Sequence, residues 1–175
     1  MTIDGRSLLA VAAALSLVFG LIVLALERRL RQPIPGLRMW AVANFLLAVA
    51  ATSHALQDIA PLWLPAVIGN SLILVGRACT VAALTQFDRR RVPARGLAAL
   101  CAIFVAGTAL TLFVWPSFPA RSLVMVAGMA TFAGWCAVRL SAGETPSISR
   151  TVTITGFVGI TLANLSRLWG HARQL

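Results

Sequence analysis

The sequence predicts an all-α fold, a polytopic bundle of about six transmembrane helices with its N-terminus on the periplasmic side. Three observations carry that prediction. Hydrophobic residues make up 59 % of the 175-residue chain and charged ones only 11 %, against roughly a quarter charged in soluble domains. The apolar residues fall in blocks of close to 20, the number that crosses roughly 30 Å of hydrocarbon at a helical rise of about 1.5 Å per residue. Basic residues gather in alternate connections between the blocks, and that asymmetry sets the orientation of membrane proteins. The blocks fill nearly the whole sequence, so residues 1–175 read as a single integral membrane domain. No room is left for a separate soluble domain of even about 50 residues.

Six blocks follow one another. The first, 8–26, ends at Glu27, Arg28, Arg29 and Arg31. A secretory signal carries its positive charge before the apolar run, and here most of it comes after, so this block is a retained anchor. The second, 37–56, is polar at intervals through Asn44, Thr52, Ser53 and His54, and the third, 63–84, carries Pro65, Asn70 and Arg77. A hydrophilic loop with Asp88, Arg89, Arg90, Arg91 and Pro93 leads to the fourth block, 97–115. The turn from Pro116 to Pro119 gives way to the fifth, 121–140, and a polar stretch with Gly143, Glu144 and Pro146 to the sixth, 152–169, the shortest and weakest.

The net charge of +10 is carried by arginines in short connections, which argues against nucleic acid as a partner. Connections one, three and five hold Arg28, Arg29, Arg31 and Arg38, then Arg89, Arg90, Arg91 and Arg95, then Arg139 and Arg150. The second holds Asp58 without arginine, and the fourth only Arg121. Arginines stay on the cytoplasmic side, so a bacterial inner membrane with a periplasmic N-terminus is expected. Six crossings return the C-terminus to the outer side, leaving His171 and Arg173 against the charge rule. Trp63, Trp115 and Trp169 fall at expected outer ends and Trp40 at an inner one, where amphipathic rings settle among headgroups.

Arg77 is the residue most in need of explanation, because an arginine inside an apolar segment costs at least about 2.5 kcal/mol on insertion scales and seeks a partner or water. Asn44 on the second helix lies at a similar depth, and Asn70 lies two turns before Arg77 on one face. These three form a candidate intramembrane polar seam. It serves either as a shallow ligand pocket or switchable hydrogen-bond network, or, more ordinarily, as polar glue between helices with Arg77 snorkelling to the headgroups. Ala130 with Gly134, and Thr155 with Gly159, recur at i and i+4 and allow close helix approach, so a homodimer through small-residue faces is expected beside the lipid bilayer itself.

Chemistry is conspicuously missing. The chain has no HExxH, GxxxxGK[ST] or GxSxG motif, and its five acidic residues, Asp4, Glu27, Asp58, Asp88 and Glu144, all lie at helix ends or in connections. No catalytic residue, cofactor or metal site is therefore expected. His54 and His171 are too few for a histidine metal site, and Cys79, Cys101 and Cys136 lie singly inside helices as buried fillers. A proton-coupled carrier buries a carboxylate relay, which these positions do not provide.

The runs Pro35-Gly36-Leu37-Arg38-Met39-Trp40-Ala41-Val42-Ala43-Asn44 and Leu62-Trp63-Leu64-Pro65-Ala66-Val67-Ile68-Gly69-Asn70, followed by Gly76-Arg77, resemble the N-terminal multi-helix membrane region of bacterial GGDEF diguanylate cyclases. The likeness covers essentially the whole chain, through motifs that are degenerate and hydrophobic. It implies an input region in the membrane whose helix rearrangement controls a cytoplasmic domain that condenses two GTP into cyclic di-GMP. The sequence departs from that plan in having no GG[DE]EF signature, so no catalytic residue carries over. The outward C-terminus fits a reading frame cut before a seventh helix. The expectation is thus a non-catalytic sensory module of cyclic di-GMP signalling, with an unidentified ligand; a small carrier or channel using the seam, or a membrane scaffold subunit, are the alternatives.

Overall fold

The computed structural model describes residues 5–31 and 34–141, and these are all helical or connecting, with no strand among them. Five helices follow in order: α1 (Gly5–Arg29), α2 (Leu37–Ala55), α3 (Asn70–Phe87), α4 (Ala94–Phe113) and α5 (Phe118–Ser141). A π-helical segment, Leu64–Gly69, runs directly into α3. Four helical stretches are long and apolar enough to cross a membrane: α1, Leu64–Phe87, α4 and α5. The fourth and fifth blocks begin about a turn earlier in the structure than in the sequence reading, and α1 runs on through Arg28 and Arg29. Backbone hydrogen bonding does not stop where the side chains cease to be apolar. The expected sixth helix, 152–169, lies outside the described residues.

α2 is absent from those four because Arg38, Asn44, Thr52, Ser53 and His54 dilute its nineteen residues. It sits between α1 and α3, and α3 in turn packs on α4 and α5. α1 touches α2 and no other described helix. Consecutive helices run antiparallel, as their end contacts show: Arg6 of α1 pairs with Asp58 beyond α2, and Glu27 pairs with Arg38 at 2.7 Å at the other end. Between the two, Gly20 lies against the Phe45 ring. Among the described residues nine arginines, at 28, 29, 31, 38, 89, 90, 91, 95 and 139, thereby collect at one end of the bundle, while the opposite end has Arg6 and Arg121.

The interior is built on small side chains. Ten of the eighteen buried hydrophobic residues are alanine, which lets backbones approach where lipid supplies no hydrophobic drive between helices. Larger groups gather around α3, where Leu74, Val81 and Phe132 are wholly buried, with Trp40 and Phe87 in a tilted ring contact of 5.8 Å on the flank. The outer surface is apolar, and in α1 only Gly20 and Val23 are buried. Hydroxyls inside the helices bond back to their own carbonyls: Thr80 to Gly76, Thr85 to Val81, Thr108 to Phe104 and Thr111 to Gly107, all at 2.7–3.0 Å. In a medium without water, this self-satisfaction is the least costly way to keep a polar side chain.

The connections obey local rules. Ile34-Pro35-Gly36-Leu37 is a type II turn, with Leu37 N–H bonded to the Ile34 carbonyl at 3.3 Å and Gly36 at φ 88°, ψ −16°. After α3, Arg89 adopts φ 53° and the N–H groups of Arg89 and Arg90 return to the Gln86 and Thr85 carbonyls, a Schellman closure with arginine where glycine is usual.

Candidate functional site

The π-helical segment explains the site's geometry. Pro65 stands at its start and has no N–H to give to the preceding turn. The wider winding moves the backbone bonds out of step, so that the Asn70 N–H reaches the Pro65 carbonyl. The Asn70 side chain completes the pattern, its Nδ2 donating to the Ala66 carbonyl at 2.8 Å. Such π segments recur at functional sites because they redirect side chains. Gly69 allows α2 to lie directly on this segment: a Cβ there would collide with the Ser53 hydroxyl and approach His54 Nε2 to 3.1 Å.

Where these parts meet, at the end opposite the nine arginines, a cavity of about 420 Å³ opens between α2, the π segment and the first turns of α5. Its polar groups are His54, Gln57, Asn70, Arg121 and Ser122. Leu62, Pro65, Phe118, Met125 and Val126 supply an apolar wall. The Arg121 guanidinium lies 5.5 Å from the Phe118 ring centroid, a cation–π contact that holds it in place. Arg121 makes no ion pair with a described residue, whereas Arg6, the other described arginine at this end, is engaged by Asp58. Trp63, Trp115 and Phe118 are exposed around the same end, as interfacial aromatics are in membrane proteins.

The three seam residues are arranged differently from one another. Asn70 lines the cavity. Asn44 gives its Nδ2 to the Trp40 carbonyl of its own helix at 2.9 Å. Arg77 is partly buried, within electrostatic reach of Cys136 on α5. Among the described residues no hydrogen bond joins Arg77 to either asparagine. Between Asn70 and Arg77, Leu74 is fully buried and packs at Gly128 beside Phe104, and of the three seam residues only Asn70 lines the cavity. Gly134 has open space where a Cβ would stand, while Ala130 is buried.

Arg121, Gln57 and Ser122 are not among the candidates drawn from the sequence, and His54 figures there only as a histidine too isolated for a metal site. One signal pointed to Arg121: it is the only basic residue in the fourth connection, an exception to the alternating charge pattern. Two other hollows are lined almost wholly by carbon, one of about 530 Å³ between α1, α2 and the π segment, the other of about 440 Å³ beside α3 and α4. They offer little to orient a ligand. No group of three His, Cys, Asp or Glu side chains gathers among the described residues. No family model matches the chain, and comparison with curated proteins and with solved structures likewise gives no match.

Proposed function

We propose that the chain is a non-catalytic, membrane-embedded sensory module of a bacterial inner-membrane signalling protein, of the kind that precedes diguanylate cyclase domains. In this reading the nine-arginine end is cytoplasmic, the N-terminus is periplasmic, and the cavity opens on the periplasmic side. The positive-inside rule supports the orientation. The observation that carries the reading is the cavity itself, a polar site shared by α2, the π segment and α5. A ligand bound there favours one relative placement of these helices over another, which is all that a population shift requires. α5 then runs from Arg121 at the cavity to Arg139 at the arginine-rich end, giving the shift a direct route to the cytoplasmic face. The Pro35-to-Asn44 and Leu62-to-Asn70 runs add the resemblance to cyclase input regions. A carrier using the seam is the less favoured alternative because neither Asn44 nor Arg77 lines the cavity.

The test is the complete reading frame. DNA beyond the Leu175 codon is expected to encode a seventh apolar segment and a GG[DE]EF-containing domain. Cellular cyclic di-GMP is expected to change when Ser122→Trp fills the cavity. An open frame without such a domain, or an output indifferent to the filled cavity, overturns the proposal. Cysteines introduced at Ser117 and Arg90 report orientation: a membrane-impermeant maleimide should label the first and spare the second in intact spheroplasts.

A further inference from the structure

We infer that the cavity binds an amphiphilic monoanion, with a carboxylate or phosphate head held by Arg121 and an apolar tail laid along Met125 and Val126. The inference deepens the functional reading by naming a ligand class for the same site, but the binding it asserts stands or falls separately from signalling.

Charge argues first. Among the described residues Arg121 is the arginine of the cavity wall, no carboxylate lines that wall, and the carboxylate at this end, Asp58, is engaged by Arg6. A guanidinium at the edge of a low-dielectric medium gains far more from a bound anion than it does in water. Its planar fork also matches the two oxygens of a carboxylate or phosphate. Hydrogen-bonding capacity argues next. Ser122 and Gln57 add a hydroxyl and an amide as donors, whereas one N–H of the Asn70 amide is given to Ala66 and His54 is hydrogen-bonded to Asn70. The wall is thus richest in donors beside Arg121, where a head group would lie.

The rest of the wall calls for a tail. Met125 and Val126 stand one turn along α5 from Arg121 and Ser122, and Pro65 and Leu62 face them. The cavity's volume falls in the range of roughly 300–1,000 Å³ typical of small-molecule sites. Leu62, Trp63 and Phe118 are exposed around it, so a ligand partitioned into the membrane surface reaches the site with its head toward water. A hydrophilic anion would leave this apolar wall unused, and a cationic amphiphile would face Arg121.

The same chemistry has two sources, an anionic phospholipid of the surrounding leaflet or a free medium-chain carboxylate. The experiment uses the full chain in nanodiscs of zwitterionic phosphatidylcholine, a diazirine-bearing decanoate as photoprobe, and peptide mapping of the adducts. Labelling is expected at Leu62, Met125 or Val126, suppressed by excess decanoate and not by decylamine. Arg121→Gln should lower it about tenfold and Arg121→Lys by less. Gln57→Glu changes an exposed side chain and places a negative charge in the wall, so it should also abolish labelling without bearing on folding. Competition by added phosphatidylglycerol assigns the site to lipid; its absence, with decanoate competing, assigns it to the free acid. Equal labelling by a decylamine photoprobe, or full labelling in both Arg121→Gln and Gln57→Glu, overturns the inference. Labelling as expected with cyclic di-GMP unmoved would remove the signalling proposal and leave this one standing.

Discussion

Replacing Gly36 by alanine tests the turn that joins α1 to α2. Gly36 has φ 88°, and an added Cβ would strike the carbonyl oxygen of Ala83 in α3, with the Ala83 carbonyl carbon at 3.1 Å and Cα at 3.3 Å. Two costs combine. Holding an L-residue in the left-handed region costs about 1–2 kcal/mol. Forcing a methyl group against backbone that cannot swing away costs about 1–3 kcal/mol. Gly36→Ala should therefore destabilise the bundle by about 2–5 kcal/mol, measured by reversible SDS titration in bicelles with tryptophan fluorescence. Gly36→Asn separates the terms: asparagine tolerates positive φ, so it should retain only the steric part, about 1–3 kcal/mol. An alanine variant within about 0.5 kcal/mol of wild type refutes the reasoning. Equal losses for alanine and asparagine would remove the torsional part and leave the clash with Ala83.

The same titration checks three further expectations. Arg77→Leu should stabilise the folded bundle, because a partly buried guanidinium without a described carboxylate is exchanged for a side chain the bilayer accepts; destabilisation would show that Arg77 is well satisfied. Leu74→Ala should cost about 2–5 kcal/mol, toward the lower end because lipid lessens the hydrophobic part of the loss. A double-mutant cycle on Glu27→Gln and Arg38→Gln should give a coupling below about 1 kcal/mol that shrinks with salt, since the Arg38 side chain is 83 % exposed. A salt-independent coupling of several kcal/mol would place that pair in a drier setting.

Much of the fold was legible because a membrane imposes one rule on every span. Apolar stretches such as 97–115 can satisfy their backbone only as helices, and the structure shifts their limits by a few residues. The turn at Pro35-Gly36 is not among the sequence expectations, although proline followed by glycine favours a type II turn. The π segment was not legible, although Pro65 marks its beginning, because nothing in LPAVIG distinguishes a π turn from an α turn until the packing of Ser53 and His54 on Gly69 is known. The seam was drawn from depth along the helices alone. Depth places Asn44 near Arg77 but says nothing of whether the Asn44 amide will prefer the Trp40 carbonyl, one turn away in its own helix, as it does. Nor could the cavity be read in advance. It joins His54, Asn70 and Arg121 from three separate helices, and no periodicity connects residues so far apart in the chain.

That α1 meets only α2 among the described helices bears on how the molecule is made. α2 is the described helix least able to enter a bilayer on its own merits, with Arg38 near one end and His54 near the other. α1, the most apolar of the spans, emerges from the ribosome just ahead of it, and the Gly36 turn folds the two into a hairpin. The polar helix can therefore cross already leaning on a neighbour, its Arg38 matched by Glu27 and the small Gly20 seated on Phe45. Once α3 closes over the other side, α1 has no further packing to contribute among the described helices. Toward the described helices its part is that of an escort for α2, the neighbour that would otherwise face the bilayer with its polar residues unsheltered.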